Sequence, residues 1–189
     1  MSRVKNGLKS IYYAVMTEET EETYGTVKKL GELIEVSVST AENATPLYAG
    51  NRLYENVVTL GEINVSFTIP EISDEDFKAI FGYEADSTYG GIIRDNSTSR
   101  PKIAIMFEQT AGDVTDYITL YKGTCNIPEI QGKTSEAGVQ YNTLSFSGVF
   151  MPLSDGTWCM SVASDDPKYS SSDFATKWGK QVIKPTVAE

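Results

Sequence analysis

The stretch that most constrains the fold is residues 57–82, VVTLGEINVSFTIPEISDEDFKAIFG. Val57, Thr59, Gly61, Ile63, Val65, Phe67 and Ile69 fall on one parity, and Glu62, Asn64, Ser66 and Thr68 fill much of the other. Alternation with period two puts one strand face on apolar matter and the other on water. Pro70 has no N–H to donate and ends the ladder. Ser73 then suits a helix N-cap, with Asp76 three residues on as the acid of a capping box. Ile72 and Phe77 stand where a hydrophobic staple would put them, and Asp74, Glu75 and Asp76 favour the positive end of the helix dipole. Phe77, Ile80 and Phe81 give an apolar face, and Gly82 a stop, so the helix is expected over 73–82.

The rest of the chain is read as strands. Leu8, Ile11, Tyr13 and Val15 mark a first one over 8–16, and TEETEETYG after it reads as an acidic, solvated connector. Ile34, Val36 and Val38 alternate with Glu35, Ser37 and Ser39. Residues 41–56, AENATPLYAGNRLYEN, break that pattern with Pro46, Gly50 and several Asn, so a long loop is expected between two strands of a hairpin over 33–69. A loop of this length is either disordered or functional. Leu47, Tyr48, Leu53 and Tyr54 beside Asn51 and Arg52 favour a protein contact.

Beyond the helix, residues 84–100 read as a surface loop. PKIAIMFE at 101–108 reads as a strand buried on both faces. Residues 114–121 and 139–150 read as further strands, the latter setting Leu144, Phe146 and Phe150 against Thr143, Ser145 and Ser147. A short helix is expected over 172–179, with Phe174 and Trp178 one turn apart. The sum is a mainly β protein: an antiparallel β-sandwich or partly open barrel over 1–153, one flanking α-helix, and a C-terminal extension over 154–189 with its short helix.

Composition narrows the chemistry. A net charge of −10 over 189 residues argues against a protein that grips nucleic-acid phosphates. Histidine is absent, which removes His-based triads, His metal sites and the usual general base. Gly132-Lys133-Thr134 ends like a phosphate-binding loop, but the glycine needed five residues earlier is Ile127. Asp74/Glu75/Asp76 are explained by capping, and Asp165/Asp166 lack the alternation of a calcium site. Cys125 and Cys159 read as free thiols of a reducing cytoplasm, and Cys159 has no histidine to activate it. No apolar run approaches the roughly 20 residues of a membrane span. No enzyme, cofactor or metal site is expected.

Taken in order, NGLKSIYYAVMTEE, TYGTVKKLGELIEVSVS, PLYAGN, FKAIFGY, RPKIAIMFE, LYKGTCNIPEIQGKTSE, LSFSGVFMPLSDGTWC and the SDDP and Trp178 tail resemble the major tail protein of long-tailed, non-contractile bacteriophages. The resemblance runs over nearly the whole chain and rests on no single motif. It implies a virion subunit, made in the host cytoplasm, that forms hexameric rings stacked into a tail tube. The lumen would hold a tape measure protein and then conduct DNA without binding it specifically. Tail terminator and distal tail proteins would close the ends, and no membrane would be involved. Hairpins of each subunit would line the lumen, and the long loop would reach the adjacent ring.

On that resemblance Glu35, Ser37, Ser39, Glu62, Asn64, Ser66, Thr143, Ser145 and Ser147 are the candidate lumen residues. Leu47, Tyr48, Asn51, Arg52, Leu53 and Tyr54 are the candidate stacking loop. Without it, the polar strand faces read as ordinary solvent exposure. A β-sandwich binding or decoration module, or the tube protein of a contractile injection device, are the competing expectations.

Overall fold

The first strand, β1 (Gly7–Glu18), buries Ile11, Tyr13 and Ala14, as its apolar residues require. It is flanked on one side by two short strands, β2 (Thr23–Tyr24) and β3 (Lys28–Glu32). A computed structural model describes residues 4–95, 99–129 and 143–186.

Next in the chain come two long strands, β4 (Glu35–Ala49) and β5 (Arg52–Ile69), paired antiparallel along their whole length. Here the structure corrects the expected 41–56 loop, because this stretch is strand. The only break is at Gly50 and Asn51, whose φ angles of 61° and 59° make a two-residue turn of the I′ kind between Ala49 and Arg52. Pro46 is compatible with β4 because that strand is the last in its sheet, where a missing N–H breaks no ladder bond.

A second correction concerns the apolar face of β5. Ile63, Val65, Phe67 and Ile69 are buried, but Val57 is exposed. Between the pairs Thr40↔Ile63 and Glu42↔Leu60 the partner strand advances by one residue fewer than β5 does. This bulge at Gly61–Glu62 reverses which side chains of β5 face which way. The alternation read from Val57 to Ile69 is therefore two runs of opposite sense.

The expected helix forms as α1 (Asp74–Phe81). Ser73 Oγ accepts from Asp76 N at 3.1 Å, and Gly82, at φ 71°, closes the other end. Phe77, Ile80 and Phe81 enter the core, where Phe81 stacks on Phe146 at 6.0 Å. A small hairpin, β6 (Glu84–Ala85) with β7 (Ile92–Ile93), follows. β8 (Ile103–Ala111) and β9 (Val114–Cys125) form the next pair, and Ile103 to Phe107 are all buried, as a strand covered on both faces must be. β10 (Leu144–Phe150) lies between β9 and β5; the earlier part of the expected 139–150 strand lies outside the described residues, as does the Gly132-Lys133-Thr134 segment.

The main sheet runs β2-β1-β8-β9-β10-β5-β4, all antiparallel, with β3 on β1. Residues 33–34 carry the chain from β3 directly to β4, at the far end of that path, where Ile34 N donates to Thr68 O at 2.9 Å. The sheet thus folds over itself into an open barrel around the larger core. Helix α1 packs against that core through Phe77, Ile80 and Phe81. Its first turn is held by Tyr13 of β1, which donates to Asp76, and by Lys28 of β3, paired with Glu75 at 2.7 Å.

The C-terminal segment completes the other face of the sheet. Residues 159–163 form a strand that sequence reading left unassigned, β11 (Cys159–Ala163), paired with β9. Two short helices follow, α2 (Pro167–Ser171) and α3 (Phe174–Lys177), the latter inside the expected 172–179. Phe174 and Trp178 stack at 5.6 Å, and Trp178 Nε1 donates to Glu108 at 2.8 Å. Trp178 and Val182 cover a second small core of Ala14, Val27 and Met106. The tail therefore packs on the sheet of its own chain.

Candidate functional site

The β4–β5 hairpin divides at its bulge into a body half and an arm. In the body half, the ladder sets Glu35 opposite Thr68, Ser37 opposite Ser66, and Ser39 opposite Asn64. β10 extends two of these rows, with Ser145 opposite Thr68 and Ser147 opposite Ser66. Opposed residues share a face, so Glu35, Ser37, Ser39, Asn64, Ser66, Ser145 and Ser147 lie on one side of a three-stranded surface. All are exposed, while the alternate residues of β5 and β10 fill the core. Glu62 is exposed at the bulge, and Thr143 is exposed just ahead of β10, outside the paired register.

Two members of this face were not singled out from the sequence. Thr68 Oγ1 lies 2.9 Å from Ser145 Oγ, and Asn126 Nδ2 donates to Ser147 Oγ at 3.1 Å. Thr68 shows the same parity as Asn64 and Ser66 and was legible by that rule; Asn126 follows β9 and only the ladder brings it here. Ser37, Ser39, Asn64, Ser66, Asn126 and Ser147 line a shallow groove of about 190 Å³. The surface is hydroxyl and amide with glutamates at its margins, and none of these residues is cationic.

The arm is a two-stranded ribbon, and every described side chain of residues 42–60 is exposed. Leu47, Tyr48, Leu53, Tyr54, Val57, Val58 and Leu60 are each 45–68% exposed. All the predicted contact residues gather at its tip: Tyr48 opposite Leu53, Asn51 in the turn, and Arg52 opposite Ala49. A second irregularity, between Leu47↔Glu55 and Tyr48↔Leu53, leaves Tyr54 as the extra residue. Val57, Val58 and Leu60 add exposed apolar side chains on both faces of the ribbon; the sequence pattern puts Val57 on the apolar face of a strand and does not single out Val58 or Leu60. An isolated two-stranded ribbon is at best marginally stable in water, and solvent is a poor environment for this one.

The groups considered for chemistry are accounted for locally. Asp76 is bonded to Tyr13 and Ser73, Glu75 to Lys28, and Asp166 caps α2 through Lys168 N. Burial pushes the Cys125 thiol up to about 12 and the Cys159 thiol upward as well, the reverse of an activated nucleophile. No group of three His, Cys, Asp or Glu able to hold a metal ion occurs among the described residues. None of their helices is long and apolar enough to cross a membrane. Comparison with protein-family models and with curated proteins yields no match to this chain.

Proposed function

We propose that this protein is a structural virion subunit, the tail tube protein of a long-tailed bacteriophage. Hexameric rings of it stack into a tube whose lumen holds the tape measure protein and later conducts DNA, with terminator and distal tail proteins at the ends. The observation that carries the reading is the β4–β5 hairpin, which joins an apolar arm to a hydroxylated face with no cation among its described residues. The arm gains stability only against another chain. The polar face offers phosphates no counter-charge, so DNA passes it without being held.

Negative-stain electron microscopy of the purified protein across a concentration series, with light scattering alongside, tests the proposal. Rings or hollow tubes are expected as concentration rises. A monomer at every concentration would overturn it and turn attention to a binding or decoration module.

A further inference from the structure

We infer that the arm tip of one copy inserts into an apolar groove beside α1 of a second copy, joining copies head to tail. The inference rests on the tube reading and adds to it the surface that receives the arm. The groove, about 260 Å³, is walled by Ile72, Phe77, Ile92, Pro128 and Leu144, with Asp74 at its rim. Arg94 and Glu129 also line the groove, the Arg94 guanidinium 4.9 Å from the Phe77 ring centroid, while Ile72, Ile92 and Leu144 keep part of their apolar surface open.

The tip supplies what such a groove takes. Tyr54 is the extra residue of the bulge, and bulges re-aim a side chain out of the regular ladder. A cavity of roughly 150 Å³ accepts a benzene, so the groove has room for one tyrosine ring. Arg52, the only cation between Glu42 and Leu60, stands beside it at the turn. Asp74 at the groove rim begins a helix whose first turn is Asp74, Glu75 and Asp76. Apolar knob and cation face an apolar slot whose two acids, Asp74 and Glu129, outnumber its one cation, Arg94.

Position decides between self-docking and docking on a neighbour. The tip lies at the start of β5, and the groove lies at its end, next to Ile69, which pairs with Leu144. Tyr54 and Ile69 stand 15 residues apart on β5, about 50 Å of strand at roughly 3.3 Å per residue, so a copy cannot fill its own groove. A contact between unlike surfaces at opposite ends of a molecule is heterologous and repeats along the axis. That is the geometry of stacking.

Two variants separate the surfaces: Tyr54→Ser at the tip and Ile92→Glu in the groove, each checked for its fold by circular dichroism. Sedimentation velocity should show that each needs roughly tenfold or more higher concentration than the wild type to extend. Rings of one variant mixed with rings of the other bring intact grooves to intact tips on one side only, so the mixture should pair ring on ring and stop. Arg52→Glu and Asp74→Lys should each weaken extension, and the double charge swap should restore it. Wild-type protein that extends while folded Ile92→Glu extends equally would overturn the groove assignment alone, as would a mixture that fails to pair. Wild-type protein that never associates would overturn the inference together with the tube reading.

Discussion

The Tyr13 hydroxyl donates to Asp76 Oδ1 at 2.7 Å, tying the first strand to the first turn of helix α1. Tyr13 is nearly wholly buried, and the other oxygen of Asp76 accepts from Ser73 at 2.5 Å. One carboxylate thus holds both the helix cap and its anchor to the sheet. Replacing Tyr13→Phe keeps the ring but removes a charge-assisted bond and strips Asp76 of a donor. Loss of about 1–3 kcal/mol of stability is expected from urea unfolding. An unchanged midpoint would mean that water replaces the hydroxyl fully.

Several buried acids make the fold sensitive to alkali. Burial raises the Cys125 thiol from 9.0 to about 12, and burial first, with nearby acidic groups second, raises the Tyr13, Tyr24 and Tyr121 phenols above their usual 10.0. Each group holds its proton more tightly folded than unfolded. The resulting stability is complete below pH 9, the ordinary thiol value, and declines as pH rises through about 12. Thermal midpoints measured from pH 8 to 11 should therefore fall, and Cys125→Ala should flatten the first part of that slope. Since burial raises the Cys159 thiol as well, some slope should remain, but a slope unchanged in Cys125→Ala below pH 10 would remove the Cys125 thiol from the account.

Gly123 sits where two strands converge on a buried ring. A Cβ there would lie 2.3–2.4 Å from three carbons of Phe150, itself 1% exposed. Since β9 and β10 are paired at this point, Gly123↔Phe150, neither side has room to yield. Gly123→Ala should destabilise by roughly 1–3 kcal/mol or more through overpacking. Combining it with Phe150→Leu should recover part of that loss, measured by the same denaturant midpoint. No recovery would point to the backbone, not the ring.

Much of this architecture is legible in local pattern. Ser73, Asp76 and Gly82 state the helix and its ends, and the apolar run at 103–107 states a strand covered on both sides. The arm was misread for a physical reason. Pro46 and the asparagines are poor strand residues inside a sheet, but β4 is an edge, where they are tolerated. The better signal was Gly50-Asn51, a pair that favours positive φ at both centres of a tight hairpin turn. The bulge at Gly61–Glu62 left no periodic trace, because it joins two alternating runs of opposite sense. A Cβ on Gly61 would meet Ala41 O at 3.1 Å, which explains the glycine only once the partner strand is in place.

Shortening the arm should separate assembly from folding. Cutting back to the pair Pro46↔Asn56 removes the tip irregularity together with Leu47↔Glu55, the pair next to it. Replacing residues 47–55 by Asn-Gly would close the hairpin with a favoured turn and remove Leu47, Tyr48, Leu53 and Tyr54. No described side chain in the removed stretch is buried, so the unfolding stability should stay within about 0.5 kcal/mol of the parent. Stacking should be lost. Tubes of normal length from the shortened chain would remove the arm from the contact between rings.

The polar face permits a test of the lumen itself. Glu62 is exposed and carries one of the two negative charges among the predicted lumen residues, the other being Glu35. Glu62→Lys should leave folding unchanged, since surface substitutions away from special features stay within roughly 0.5 kcal/mol. In a sixfold ring it would introduce six cations at one level, each able to displace a counterion from passing DNA. Genome release by particles carrying the change should slow at low salt and recover as salt rises. That dependence distinguishes an electrostatic brake from a damaged tube, which salt would not mend. Release at the parental rate across all salt concentrations would place this face on the outside of the particle.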